Sequence, residues 1–137
     1  MGTQAARSAI RAHLEANWDT DAAALVFPNE GDPPADVSQP WIFVEVRGSA
    51  YYQASIGAGS ITDNLWRDEG SIWATINVPI GTGEDDAGTL AQQFMDLFRG
   101  TELAGNLEFR EFQDGDGERS DNGLWWQYTA MIIWQMG

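Results

Sequence analysis

The side chains most able to do chemistry in this sequence are carboxylates. The chain has 21 Asp and Glu residues, but it has no Cys and a single His. Without Cys there is no disulfide, thiolate nucleophile, iron–sulfur cluster or Cys-type zinc site. One His excludes a multi-His metal centre, and His13 lies beside an apolar helical stripe with no matching Ser and Asp nearby. We therefore predict no catalytic residue, no metal, no cofactor and no enzymatic activity.

Two local patterns imitate ligand sites without meeting their requirements. Residues 114–118 (DGDGE) gather carboxylates on a Gly-rich backbone, but the sixth position from Asp114 is Arg119, where a calcium loop needs Gly. Residues 81–83 (GTG) precede a helix like a phosphate cradle, but they lack a Lys and are followed by three carboxylates that would repel phosphate. The first pattern indicates a solvated hairpin tip, and the second a strand-to-helix turn.

The charge balance disfavours nucleic acid and membranes as binding partners. Seven Arg and no Lys face the carboxylates, which gives a net charge of −14. Counterion release requires clustered cations, so sequence-independent binding to DNA, RNA or anionic lipid is not expected. No apolar run approaches the ~20 residues that span a bilayer, and we expect no signal peptide.

Two stretches repeat apolar residues at helical spacing. The first spans residues 3–18, with Thr3 as its expected N-cap. The second runs from about residue 84 to Phe98, with a capping-box-like start at Thr82 and a stop at Gly100. The apolar stripe of the first helix consists of Ala6, Ile10, Leu14 and Trp18.

Further stretches alternate polar and apolar residues as strands do. They are residues 41–47, 50–56, 71–79, 107–112 and 124–136. Gly48 and Ser49 predict a turn, residues 27–40 a Pro-rich surface loop, and residues 113–123 an extended acidic hairpin loop. We predict one α+β domain, residues 1–137, with two helices packed on a mainly antiparallel or mixed sheet of about four to six strands.

The seven Trp residues are the most informative group. Trp125 and Trp126 are adjacent, so within a strand they point to opposite faces. If both helices cover one face of the sheet, aromatic residues remain on the other face, and aromatic and Arg enrichment outside a core is typical of protein–protein surfaces. The predicted subunit contacts are Trp41, Phe43 and Trp73, with Trp66 and Arg67 nearby.

The order of these motifs resembles the tail terminator proteins of long-tailed bacteriophages. The similarity is carried by residues 40–47 (PWIFVEVR), 66–100, 107–112 (LEFREF) and 125–134 (WWQYTAMIIW), and it covers the chain from Thr3 to Trp134. Its most specific block is a strand and turn of the form G-x-[IV]-x-[VI]-x-[IV]-x-x-P-x-G-T-G. In this sequence the block reads Gly70, Ile72, Ala74, Ile76, Pro79, Gly81, Thr82 and Gly83.

The resemblance implies a structural virion protein that forms a homo-hexameric ring on the head-proximal end of the tail tube. Its implied partners are further copies of itself, the tail tube protein and the stopper (head-completion) protein. DNA would pass through the channel without specific binding. The protein would be made in the bacterial cytoplasm and located in the tail or neck of a phage or gene-transfer particle. The acidic hairpin tip is the candidate contact with tube or stopper: Asp114, Asp116, Glu118, Arg119 and Asp121.

Other interpretations remain open at this point. Within the same class, the protein could be another neck ring, either a stopper or an adaptor, or a tail tube subunit. In other classes, it could be a small acidic module that mimics DNA, or a carboxylate hydrolase. Competition with DNA for a basic partner distinguishes the mimic from a ring protein.

Overall fold

The computed structural model describes residues 2–30, 38–53, 66–81, 83–103 and 106–137. It contains a mixed sheet of six strands, in the order β1-β2-β3-β6-β5-β4, and two helices, which confirms the predicted α+β class. Only β1 pairs in parallel with its neighbour, and the sheet is curled into half a barrel. The elements are α1 (Gly2–Asn17), β1 (Ala24–Val26), β2 (Trp41–Gln53), β3 (Trp66–Pro79), α2 (Asp85–Asp96), β4 (Glu102–Leu103), β5 (Leu107–Arg119) and β6 (Trp125–Met136).

Both helices pack on the same face of the sheet, here called the helix face. The predicted apolar stripe of α1 is buried there, together with four residues of α2. The inward residues of β3 alternate as predicted, and Trp134 of β6 is fully buried between sheet and helices. The core residues of the sheet on this face include Ile42, Val44, Ile72, Ala74, Ile76, Val78, Ala130, Ile132 and Trp134.

His13 joins the two helices. Its Nε2 lies 2.7 Å from the carbonyl oxygen of Leu97, just after α2, and its ring centre lies 5.2 Å from that of Phe98. The side chain is partly buried at the margin of the core, which is the boundary position that the sequence predicts. It therefore holds the C-terminal ends of α1 and α2 together.

The predicted turn at Gly48 and Ser49 is wrong. These residues lie inside β2, where the register shifts between Gly48 and Ala50, so Ser49 is the extra residue of a β-bulge. The second half of β2 continues beyond the bulge and pairs with the start of β3, from Gln53 opposite Trp66. Small residues such as Gly and Ser occur in both bulges and turns. Here a bulge forms because β3 is long enough to pair with β2 on both sides of Ser49. Residues 54–56 of the predicted second strand lie outside the described residues.

The predicted acidic hairpin loop is also wrong for most of its length. Strand β5 continues through the Gly-rich segment to Arg119, and the turn occupies only residues 120–124. A second register shift, between Asp114 and Gly117, accommodates this segment. Glycine is required here because a Cβ on Gly115 would lie 2.3 Å from the carbonyl oxygen of Thr129, and one on Gly117 would lie 2.4 Å from Trp126 Nε1.

Smaller differences concern element ends. Helix α1 begins one residue before Thr3, and α2 begins after Glu84, whose side chain makes no capping hydrogen bond. Thr82 and residues 31–37 of the predicted loop lie outside the described residues. The short strands β1 and β4 were not predicted, because two or three residues carry no detectable period. No helix in the described ranges is long and apolar enough to cross a membrane.

Candidate functional site

The face of the sheet opposite the helices, here called the open face, carries partly buried apolar residues across three strands. Glu45, Trp73 and Met131 lie side by side on β2, β3 and β6. The guanidinium of Arg47 lies over the Trp73 ring, 4.8 Å from its centre, and Trp73 Nε1 donates a hydrogen bond of 2.8 Å to Ser71 Oγ. These two contacts hold the partly buried Trp73 ring on the open face.

Trp41 lies on the open face but is not exposed. Its accessible surface is 8%, and its ring packs edge-on against Trp125, with the centres 6.1 Å apart. Next to this pair, Asn77 is fully buried, and Gln127 Nε2 donates to its Oδ1 at 2.9 Å. The expectation of an exposed Trp41 is wrong because alternation identifies a face but not the cross-strand neighbour that covers it. Trp125 and Trp126 do lie on opposite faces, as predicted.

A shallow depression of about 170 Å³ lies beside Trp73. Asp114 and Gln113 of β5 line it on one side, and Thr129 and Met131 of β6 line its floor. Gln113 pairs with Met131 and lies on the same face as Trp73, whereas Asp114 pairs with Ala130, so its side chain points to the helix side and only the edge of the depression includes this residue. Phe43, also partly buried, lies on the same face one strand away.

Trp66 and Arg67 lie away from this depression. They begin β3, and Trp66 is separated from Trp73 by roughly 23 Å of extended strand. Strand alternation places Trp66 on the side of the helix face, opposite Arg67 and Trp73. The proximity expected from the sequence is therefore wrong. Two aromatic residues of β2 that the sequence analysis left out lie at this end: Tyr51, 47% exposed, with its ring 5.6 Å from that of Trp66, and Tyr52, 38% exposed.

The β5–β6 turn lies at the opposite end of the sheet. Glu118, Arg119 and Asp121 are exposed there, and Asp116 belongs to β5. The turn is ordered by Asn122, whose Oδ1 accepts hydrogen bonds from Ser120 Oγ and the Leu124 amide. Leu124 is 47% exposed, and it was missed because a single apolar residue beside a polar turn gives no pattern.

The described residues contain no group of three or more His, Cys, Asp or Glu side chains placed to hold a metal. Arg11 of α1 forms an ion pair with Glu30, in the loop after β1. There, a hydrogen bond from Arg11 holds the pKa of the Glu30 carboxyl below its usual range. The arrangement provides apolar contact, ring stacking and hydrogen bonds, which are the interactions of a protein–protein surface.

These features define a small α+β structural subunit with one sheet face left uncovered by its helices. The family model for phage tail terminator proteins matches residues 5–134, so the chain belongs to that family and is a structural protein of phage tails. Solved structures show the same fold: one aligns with a TM-score of 0.65 and 19% identity, covering 100% of this chain and 97% of its own. No curated protein matches the sequence.

Proposed function

We propose that this protein forms a hexameric ring on the head-proximal end of the tail tube, where it stops tube growth and joins the tail to the stopper protein. The observation that carries the proposal is the family match over nearly the whole chain. In this proposal the chain acts as one domain, residues 1–137, and all of its functions are contacts with other proteins.

Ring formation requires two different patches on each subunit, because head-to-tail contacts close only when one patch meets the other at the right rotation. The open face supplies a further contact surface, for the tail tube or stopper protein. Trp73 and Phe43 are its aromatic residues, and an ordered aromatic ring is the type of side chain that dominates interface energies. Trp41 contributes indirectly, because its packing against Trp125 gives this face a rigid end.

Such a ring would stop tube growth if its two faces, one toward the tube and one toward the head, differ in structure. The strands run between the two faces of such a ring, so one face carries the β5–β6 turn with Glu118, Arg119 and Asp121, and the other carries Trp66 and Arg67. One face would complement the last ring of the tube, and the other would bind the stopper but recruit no further tube protein.

The net charge of −14 fits a channel through which DNA moves without adhering. DNA releases few counterions when it meets a surface poor in Arg and Lys, so such a surface binds DNA weakly whatever the base sequence. The carboxylates of such a wall would also repel the duplex.

The proposal is tested by locating the protein in assembled particles. Immunogold electron microscopy with an antibody to the chain should label the junction of head and tail, and it should label the same end of tails isolated without heads. Label on isolated heads instead would favour a stopper or adaptor, and label along the whole tail would favour a tube subunit. Either pattern would contradict the proposal.

A further inference from the structure

Among the described residues, the two long outer strands of the sheet, β2 and β5, are unpaired along most of their outer edges. Strand β1 pairs with only Trp41–Phe43 of β2, and β4 pairs with only the first two residues of β5. Among the described residues, no strand lies beside residues 44–53 of β2 or residues 109–119 of β5. Edge strands present unpaired backbone groups that attract other strands, and soluble proteins usually shorten or cover them. Two free edges of this length on one sheet are suited to pairing with another chain.

The β2 edge is open on its helix side. A cleft of about 370 Å³ lies there, and its lining includes Arg7, Phe27, Val44 and Val46. The carbonyl oxygen of Val46 accepts a hydrogen bond of 3.3 Å from Arg7 Nε. This contact places the Arg7 guanidinium beside the backbone of β2 at Val46.

We propose that the free edge of β2 in one copy pairs with the free edge of β5 in the next, so that the sheet continues from subunit to subunit. This inference rests on the proposed ring. Strands β2, β3, β6 and β5 alternate in direction, so β2 and β5 run in opposite directions. Their pairing is therefore antiparallel, like every other long pair in the sheet, and it keeps the helices of all copies on one side of the ring wall.

Charge favours this pairing over two identical edges. Arg7 stands at the β2 edge on the helix side, and no carboxylate among the described residues forms an ion pair with it. On β5, Asp114 is exposed and pairs with Ala130, which places it on the helix side too. Pairing β2 with β5 brings these opposite charges to the same side of the joint. Pairing β2 with β2 would bring two Arg7 side chains to the same side of the joint, and pairing β5 with β5 would bring two Asp114 carboxylates there.

Chemical crosslinking tests the pairing directly, because the chain has no Cys of its own. Ser49→Cys and Gln113→Cys, both at exposed positions on the two edges, are combined in one chain and assembled into particles. A short bis-maleimide should then produce a ladder of multimers up to the hexamer on a denaturing gel. The matched control combines Ser49→Cys with Gln93→Cys, an exposed Gln on α2, and should remain monomeric.

Several outcomes would overturn the inference. Particles with normal tails and no multimers would refute edge pairing while leaving the proposed ring intact. Dimers from Ser49→Cys alone would show that two β2 edges meet. If the first pair of substitutions blocks assembly, Ala50→Cys with Glu111→Cys repeats the test at two nearby exposed positions of the same edges. A different experiment tests the proposed function: it is contradicted if deletion of the gene leaves the tails unchanged.

Discussion

Trp73→Ala is expected to impair tail assembly far more than it destabilises the folded subunit. The Trp73 ring is held on the open face by Arg47, 4.8 Å from the ring centre, and by the hydrogen bond to Ser71. The side chain is only partly buried and lines an open depression, so truncation leaves no closed cavity. Trp134 is the matched control, because it is fully buried beneath the helices.

The two substitutions differ in their expected cost. Truncating a fully buried Trp to Ala costs about 3–5 kcal/mol, part of which comes from the cavity left behind. Trp73→Ala loses the burial of one side of the ring and a cation–π contact of about 0.5–1 kcal/mol, but it has no cavity cost, so we expect about 2 kcal/mol in total. At roughly 4 °C per kcal/mol for a domain of this size, the Tm falls by about 8 °C for Trp73→Ala and about 16 °C for Trp134→Ala.

Two assays separate stability from assembly. Thermal unfolding of the purified variants, followed by circular dichroism, gives the Tm values. Electron microscopy of particles from a strain that carries Trp73→Ala should show overlong tails and tail-less heads, although the subunit is folded. If Trp73→Ala lowers the Tm as much as Trp134→Ala and particles are still normal, the reasoning is refuted and Trp73 is a core residue.

Three further predictions concern the subunit alone. Gly88→Ala in α2 should raise the Tm by about 2–4 °C in thermal unfolding, because a Cβ there meets no atom within 4 Å and Ala is favoured over Gly in a helix by about 0.5–1 kcal/mol; a lower Tm would contradict this. Because the hydrogen bond from Arg11 lowers the pKa of Glu30, the stability that this ion pair provides is present above the carboxyl's unfolded pKa and is lost as the pH falls through the lower folded value. The Tm difference between the wild type and Glu30→Gln should therefore shrink as the pH falls below the carboxyl's unfolded pKa and close below its lower folded pKa, and a difference that does not shrink on acidification would refute the assignment. His13→Ala should lower the free energy of unfolding in urea by about 1–2 kcal/mol, because the Leu97 carbonyl loses its donor, and an unchanged midpoint would show that this bond is not formed in solution.

The sequence was most informative where residue alternation is enforced by burial. Strand β3 alternates without interruption between two packed neighbours, so both its faces could be assigned in advance. Both helices were identified for the same reason, since their apolar stripes repeat over several turns.

The sequence-based predictions were wrong where the local structure or the burial of a residue depends on a strand that is distant in sequence. Ser49 and Gly115 lie in bulges only because β3 and β6 extend far enough to pair beyond them, and local sequence gives turns and bulges the same residues. In the candidate site, Trp41 was assigned to the correct face, but its burial depends on Trp125, which is 84 residues away. The exposure of a side chain is set by cross-strand neighbours, which periodicity does not specify.

Deleting only this gene from a particle-producing strain tests the central claim most directly. A ring that both ends the tube and joins it to the head has two functions that are lost together. Electron microscopy should therefore show overlong or ragged tails alongside tail-less heads, and both defects should disappear when the gene is restored. Tails of normal length that remain joined to heads would contradict the proposed terminator function.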